Sequence, residues 1–264
     1  MENDAKVSRA FGKQSASFDD IYDANPIVGY MRHIIRKEVL SGLHTDDHIL
    51  EINAGTGTDA LFFARLGHSI TAVEISPEMV RIAKEKVLHE HFENQITFIN
   101  KSFEDVREVE GTFDYIYSNF GGLNCTPNLL KVVDQLVAKL KPGGKATLTI
   151  MPPFTLWEKL YVLKGDFKIA NRRKSVGPSI AHIEGEYFNC WYYNPKVLIK
   201  SLKGRIKDVS VTGLCIFVPP SFMQNFPGKH PRTFKLLAIL DRVVAKLPVF
   251  NTIGDYFMIS FTRV

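Results

Sequence analysis

A short glycine-containing segment carries the residues whose types and spacing could do chemistry. Residues 53–57 read Asn-Ala-Gly-Thr-Gly and follow an apolar run that ends in Glu51 and Ile52. Glycines in such a loop let the backbone approach a ligand without a clash from Cβ. Glu74 ends a second apolar run 19 residues beyond Gly55, where a carboxylate can accept hydrogen bonds from both hydroxyls of a ribose. The pattern predicts a site for a ligand that contains a nucleoside.

Two classes of nucleotide ligand remain open from this loop alone. Ala60 could serve as the third small residue of a dinucleotide fingerprint, which presents a helix N-terminus to a pyrophosphate. Glu51, however, stands just before the loop, where its charge opposes a diphosphate and suits a ligand that carries an amine. We therefore favour a nucleoside with a cationic group over a nicotinamide dinucleotide.

The elements that must position these residues alternate along the first part of the chain. Apolar runs at 48–52, 69–74, 96–100, 113–118 and 145–151 predict strands, and the segments between them have helical periodicity. Alternating strands and helices are typical of a parallel sheet that binds ligands at the carboxyl ends of its strands. We expect an α/β, Rossmann-like fold: a mostly parallel seven-stranded sheet with helices on both faces, plus inserted cap segments.

The alternation stops after Met151. Residues 152–193 read as irregular, aromatic and basic, and strands at 207–218 and 256–262 and a helix at 232–247 follow. We expect one domain of 1–264, divided into an N-terminal helical lid at 1–44, a cofactor-binding core at 45–151, an acceptor-side cap at 152–193 and 218–254, and segments 194–217 and 255–264 that complete the sheet.

Five segments of the core form an ordered series that is more specific than any one of them. They are residues 50–57, 73–76, 103–105, 113–118 and 140–144, which read LEINAGTG, VEIS, FED, FDYIYS and LKPGG. In this order they resemble the motifs of class I S-adenosylmethionine-dependent methyltransferases, over residues 45–151 and more loosely over 8–40. The head at 10–19 resembles the N-terminal segment of quinone-biosynthesis and malonyl-carrier-protein methyltransferases, which closes over the cofactor.

The resemblance implies S-adenosylmethionine as cofactor and S-adenosylhomocysteine as product. It also implies a set of cofactor-binding residues. The methionyl part would lie on the loop of Asn53, Ala54, Gly55 and Gly57, with its ammonium near Glu51 and the backbone carbonyl of Asn119, the ribose on Glu74, the adenine among Ile75, Met79, Ser102 and Phe103, and Tyr22 lining the pocket from the head.

Two residues depart from the family's pattern. Asn53 stands where the family usually has its first glycine, and asparagine tolerates left-handed backbone angles better than most residues. Ser102 stands where many members have an acidic residue for the adenine amine. The second departure concerns the adenine contact and leaves the predicted fold unchanged.

The acceptor side must be predicted from the cap, because methyl transfer from a sulfonium needs positioning and a dry site more than a fixed catalytic group. His182 is the candidate general base for an acceptor that loses a proton, and a structural or surface role is its alternative. Trp157 and Tyr193 are candidate contacts to an apolar acceptor, and packing in the core is their alternative role. Arg172 and Arg173, with Lys174, are candidate anchors for an anionic group of the acceptor. The alternative is that they lie in a loop exposed to solvent.

Composition and charge limit the class of protein. The 264 residues are 45% hydrophobic and 23% charged, which excludes a disordered or fibrous chain. Three separated cysteines argue against a disulfide scaffold and favour a reducing, cytoplasmic location. We expect no secretory leader and no membrane span. We also expect no metal site, because His89 and His91 lack a matching ligand motif.

The charge is unevenly divided. Residues 1–152 carry 16 basic and 21 acidic residues, whereas residues 153–264 carry 17 and 7, so the net charges are −5 and +10. We expect a methyltransferase that O-methylates a small, fairly apolar acceptor, in an anionic or carrier-linked form. The alternatives are an RNA methyltransferase that uses the basic part and a non-catalytic nucleoside-binding protein. No RNA-binding motif is readable, and we expect no DNA partner.

Overall fold

A seven-stranded sheet forms the centre of the molecule, and a separate two-stranded hairpin lies in the cap. The computed structural model describes residues 2–173 and 176–264. The strands are β1 (His48–Ile52), β2 (Ser69–Glu74), β3 (Ile96–Asn100), β4 (Phe113–Ser118), β5 (Leu140–Ile150), β6 (Ser179–Ile183), β7 (Glu186–Cys190), β8 (Ile206–Leu214) and β9 (Tyr256–Arg263).

Helices connect these strands and form the N-terminal segment. Asn25, Ser76 and Asn194 start three of them as N-caps, each followed by proline at the first position. The α-helices are α1 (Glu2–Gln14), α2 (Phe18–Asp23), α3 (Pro26–Gly42), α4 (Thr58–Ala64), α5 (Pro77–His89), α6 (Leu129–Lys139), α7 (Leu156–Leu160), α8 (Phe167–Ala170), α9 (Pro195–Ser201), α10 (Phe226–Lys229) and α11 (Pro231–Val244). Short 3₁₀ helices span Ser15–Ser17, Phe103–Glu108, Gly122–Cys125, Tyr161–Lys164, Ser221–Met223 and Phe250–Thr252.

The sheet has the strand order β3-β2-β1-β4-β5-β9-β8. The first five strands are parallel, and β9 pairs antiparallel with both β5 and β8. The predicted seven-stranded, mostly parallel Rossmann-like sheet is thereby confirmed. Because β2 and β4 flank β1 on opposite sides, the chain changes direction across the sheet there, and ligands bind at such a point.

Two apolar layers cover the two faces of the sheet. One face packs against α6 and α9, with Phe113 and Leu136 among its buried residues. The other packs against α3, α4 and α11, with Ile35 and Phe63 fully buried. Burial on both faces is what the continuous apolar runs of the parallel strands require.

Parts of the expected outline were wrong in detail. Residues 152–193 are not irregular throughout, since they include α7, α8 and the β6–β7 hairpin. Helix α1 begins at Glu2 and packs against β7. After β8 the chain forms a loop with a short 3₁₀ helix and α10. No helix of the described ranges 2–173 and 176–264 is long and apolar enough to cross a membrane.

Candidate functional site

The glycine loop between β1 and α4 adopts left-handed backbone angles at three positions. Asn53, Gly55 and Gly57 have φ of 61°, 55° and 75°. The loop is closed by a 2.9 Å hydrogen bond from the Gly57 amide to the Ala54 carbonyl. An added Cβ on Gly57 would lie 2.9 Å from Phe98 Cζ, so this glycine lets the loop pack against β3. The backbone angle at Asn53 agrees with the expectation that asparagine replaces the first glycine.

Glu74, the last residue of β2, is held by the backbone of the same loop. Its Oε2 accepts a 2.9 Å hydrogen bond from the Gly55 amide, and its Oε1 accepts one of 2.9 Å from the Ser76 amide. Burial raises the pKa of this carboxyl above its ordinary value, and these amides partly oppose that shift. A carboxylate oxygen has more than one acceptor site, so Glu74 can still accept hydrogen bonds from a diol.

Glu51 lies inside β1 and points a buried carboxylate at the same region. Its Oε2 is buried and has no hydrogen-bond partner among the described residues. Burial, reinforced by the Asp59 carboxylate, raises the pKa of Glu51 well above its ordinary value. Arg32 on α3 is nearby. Its guanidinium pairs with Asp23 at 2.5 Å and its Nε lies 3.9 Å from Asp59 Oδ1, but the buried Nε donates no hydrogen bond among the described residues. An acceptor and a donor that lack hydrogen bonds suit a ligand with both an ammonium and a carboxylate.

A cavity of about 170 Å³ joins these groups at the carboxyl ends of β1, β2 and β4. Glu51, Arg32 and Glu74 all line it. The rest of its wall is mostly apolar and comes from the glycine loop, α3, α5, the segment after β4 and the N-terminal helices. The site therefore combines a few buried polar groups with an apolar surround, which is typical of a small-molecule pocket.

The N-terminal helices close one side of the cavity. Phe11 of α1 and Phe18 and Tyr22 of α2 line it, and the last two rings lie 4.4 Å apart. Asp19 accepts a hydrogen bond from the hydroxyl of Thr56 in the glycine loop. Asn3 Nδ2 donates to the Cys125 carbonyl at 2.7 Å, which holds α1 in place. The position of these helices agrees with the lid expected from the sequence.

The sequence model of the family described as "Methyltransferase domain" matches residues 49–144, which contain the glycine loop and Glu74. Residues 49–144 form a methyltransferase domain, and the protein is an S-adenosylmethionine-dependent methyltransferase with the class I fold. Its cofactor is S-adenosylmethionine. The match ends at the turn before the main part of β5, so the cap lies outside it.

Named relatives of this methyltransferase agree with the family. The demethylmenaquinone methyltransferase of Listeria monocytogenes serotype 4a is 26% identical over 165 residues, which are 59% of this chain and 67% of the relative. The magnesium protoporphyrin IX methyltransferase of Synechocystis PCC 6803, solved with S-adenosylhomocysteine, has a TM-score of 0.59 at 13% identity and covers 99% of this chain and 100% of its own. The geranyl diphosphate C-methyltransferase of Streptomyces coelicolor A3(2) has a TM-score of 0.58 at 11% identity, and the match covers 90% of this chain and 81% of that enzyme. These two structures share the fold.

The polar groups of the cavity fit S-adenosylmethionine. Glu51 Oε2, which accepts no hydrogen bond, suits the methionyl ammonium. Arg32 Nε, which donates none, suits the carboxylate, and Glu74 suits the ribose hydroxyls. When bound, the cofactor supplies an activated methyl group on a sulfonium sulfur. The methyltransferase would orient it with these three side chains and exclude water with the aromatic residues of the lid.

Most of the predicted cofactor residues come together at this cavity. Gly57 and Ser102 are the exceptions. Ser102 instead caps the following 3₁₀ helix, where its hydroxyl accepts a 3.2 Å hydrogen bond from the Glu104 amide. The other ten line the cavity: Tyr22, Glu51, Asn53, Ala54, Gly55, Glu74, Ile75, Met79, Phe103 and Asn119. Their individual roles toward the cofactor stay predictions.

The predicted anchors for an anionic acceptor occupy structural positions. Arg173 is buried and donates to Glu158 at 3.0 Å and to the Asp255 carbonyl at 2.8 Å, and it pairs with the Asp255 carboxylate as well. Arg172 is half-exposed and also pairs with Glu158. Neither lines the cavity, because both guanidinium groups are used within the cap. Lys174 lies outside the described residues.

The other acceptor-side predictions also lie away from the cavity. His182 is on the exposed side of the hairpin, with its ring 4.5 Å from that of Tyr187, so a role as general base has no geometric support. Trp157 donates from its indole to the Phe217 carbonyl at 3.2 Å. Tyr193 packs against the core and donates from its hydroxyl to the Thr126 carbonyl. The cap aromatics therefore mainly support structure.

Several cavity residues were not found from the sequence. Arg32 and Asp59 lie on α3 and α4, and Arg36 joins them by donating from Nε to Asp59 Oδ1 at 2.7 Å. Phe120 follows β4 with a φ of 48°, and Tyr256 begins β9.

Proposed function

We propose that this methyltransferase acts on a small, largely apolar acceptor. The observation that carries the proposal is the part of the cavity wall that remains after the predicted cofactor residues are assigned. Val28, Met31, Phe120 and Tyr256 supply apolar and aromatic surface there. Such surface favours burial of an apolar ring or chain by the hydrophobic effect.

The relative from Listeria monocytogenes supports a small-molecule acceptor, because its name states that it methylates demethylmenaquinone. Arg173 no longer supports an anionic or carrier-linked acceptor, since it is paired with Glu158 and Asp255. We propose oxygen as the atom that is methylated, with carbon as the competing outcome. The free thiols of Cys125, Cys190 and Cys215 support a reducing, cytoplasmic location as part of the proposal.

Product analysis tests this proposal. The protein is incubated with S-adenosylmethionine that carries a deuterated methyl group, and with an apolar phenol, an apolar quinol, a polar carboxylic acid or a transfer RNA. Mass spectrometry then measures the transferred methyl, and fragmentation assigns it to oxygen or carbon. Methylation of the apolar phenol or quinol alone is the expected result, and methylation of the RNA alone would overturn the proposal.

Two variants separate the cofactor from the acceptor. Glu74→Gln should weaken cofactor binding about tenfold or more and lower the rate with every acceptor, because it removes a charged acceptor of hydrogen bonds. Phe120→Leu should raise the acceptor's KM and leave the Kd for S-adenosylhomocysteine within about twofold. An unchanged KM in Phe120→Leu would contradict the assignment of this wall to the acceptor.

A further inference from the structure

Helix α11 in the cap presents an apolar stripe to solvent. Its inner face is buried against the sheet and α3 through residues such as Phe234, Ala238 and Asp241. The opposite face of a helix on the protein surface is normally polar, because it is in contact with water. Instead, Leu236 is 56% and Val243 69% exposed. On the helix the stripe consists of Leu236, Ile239, Leu240 and Val243, at positions i, i+3, i+4 and i+7, and the exposed Leu247 follows in the turn after α11.

Cations accompany this stripe, and carboxylates do not. The segment 218–254 contains one acidic residue, Asp241, which is buried and accepts hydrogen bonds from the amides of Ile216 at 3.1 Å and Phe217 at 2.6 Å. The basic residues form no ion pair with any carboxylate of the described residues. They are Lys229, Arg232, Lys235, Arg242 and Lys246, all of them exposed.

A second segment of the cap, residues 160–168, is also apolar and basic; its one acidic residue, Asp166, accepts a 3.0 Å hydrogen bond from the Ile169 amide as the N-cap of α8. Leu163 is 83% and Phe167 62% exposed, and Lys164 and Lys168 stand beside them in sequence. The ring of Tyr161 lies 6.1 Å from that of Phe222, whose loop leads into α10 and α11. This contact connects residues 160–168 to the segment that leads into α11.

We propose that this basic apolar face, formed by α11 and residues 160–168, docks the protein on the surface of an anionic lipid bilayer. A helix with an apolar stripe flanked by lysine and arginine lies in the interface, with its apolar side chains among the acyl chains and its cations near the headgroups. Each cation near such a surface raises binding roughly fivefold. The helix would lie on the membrane and not span it.

A second copy of the chain is the competing occupant of this face. It could cover the apolar stripe, but the same face of a second copy contributes no exposed carboxylate from 218–254, and Asp166 in 160–168 is engaged as the N-cap of α8. The row of cations would then remain without counter-charges. An anionic bilayer can bury the apolar side chains of this face among its acyl chains and pair the cations with its headgroups, so the observations favour lipid.

Docking in this way would bring the cavity close to the lipid surface. The ring of Phe234 on α11 lies 5.8 Å from that of Tyr30 on α3. The same helix α3 lines the cavity with Val28 and Met31. The inference stands independently of the proposed acceptor, because it depends only on the exposed face of the cap.

Flotation with vesicles tests the proposal. The purified protein is mixed with vesicles of phosphatidylcholine alone or of equal parts phosphatidylcholine and phosphatidylglycerol, and the bound fraction is measured at low and high salt. One variant combines Leu236→Gln, Ile239→Gln and Val243→Gln, and a second combines Lys235→Glu, Arg242→Glu and Lys246→Glu. Leu88→Gln and Lys84→Glu on α5 are matched controls, because both residues are exposed.

The expected result is salt-sensitive binding to the vesicles with phosphatidylglycerol. The charge-reversal variant should bind roughly a hundredfold more weakly, and the apolar variant should lose most of its binding, whereas the controls bind like the original protein. Absence of binding to the anionic vesicles, or equal binding by all variants, would overturn the proposal. A concentration-dependent dimer in sedimentation velocity that Val243→Asp abolishes would assign the face to a second copy instead.

Discussion

Lys86 Nζ lies 2.8 Å from Asp19 Oδ2 and thereby joins α5 of the core to α2 of the lid. The same ammonium donates to Thr58 Oγ1 at 3.2 Å, next to the glycine loop. Both charged side chains are about one third exposed or less. The pair therefore lies where the N-terminal segment meets the loop that is predicted to hold the methionyl part of the cofactor.

Loss of this pair should open the lid without unfolding the protein. We expect Asp19→Asn to lower the free energy of unfolding by about 1 kcal/mol or less, because partly exposed ion pairs contribute little. The dissociation rate of S-adenosylhomocysteine, measured by stopped-flow fluorescence, should rise severalfold. Asp20→Asn, at the exposed neighbouring position, is the matched control. Equal dissociation rates in the two variants would count against a latch at Asp19.

Cofactor binding should be linked to a proton on Glu51. Burial and the Asp59 carboxylate raise the pKa of Glu51 in the free protein, and an ammonium placed beside it lowers that pKa. Binding should therefore release a proton, and affinity should rise with pH until the raised pKa is passed. Calorimetry in buffers of different ionisation enthalpy measures this release. Glu51→Gln should abolish it, and a release that persists in the variant would exclude Glu51 as its source.

Arg173 should matter for stability and not for the acceptor. Removing one partner of a buried ion pair leaves an uncompensated charge, so Arg173→Met should cost about 3–5 kcal/mol in the free energy of unfolding. Arg172→Met, at a half-exposed position, should cost about 1 kcal/mol or less. Urea denaturation measures both. A variant of normal stability with a raised acceptor KM would restore Arg173 as a substrate anchor.

Asp241 should make the protein less stable as the pH rises. Burial raises the pKa of Asp241 to about 6 from an unfolded value of 3.8, although three backbone amides oppose the shift. A carboxyl with a raised pKa is easier to ionise when unfolded, so its contribution falls as pH rises from 3.8 through about 6. Between about pH 5 and about pH 8 the loss should be about 1 kcal/mol. In Asp241→Asn that part of the pH dependence should disappear, whereas identical pH profiles would contradict it.

The sequence predicts the sheet and the loop because both depend on local pattern. Glu74 and Asn53 were found since apolar runs mark the strand ends and few residue types accept a left-handed backbone. Arg32 was missed as a site residue because the sequence around it does not indicate that its helix packs beside the glycine loop. The pairing of Arg173 with Asp255, 82 residues away, could not be inferred from three consecutive basic residues. Ser102 does not line the cavity, because its hydroxyl caps the following 3₁₀ helix, and its residue type alone did not indicate that contact.

The position of β9 between β5 and β8 sets the order in which the sheet can assemble. Strand β8 is synthesised first, but its sheet hydrogen bonds are all with β9, which begins more than 40 residues later. The cofactor half, with β1 to β5, can therefore collapse on the ribosome before the cap has a sheet edge to join. Until β9 is inserted, β5 keeps an open edge, and unpaired edges are sites of aggregation in nascent chains.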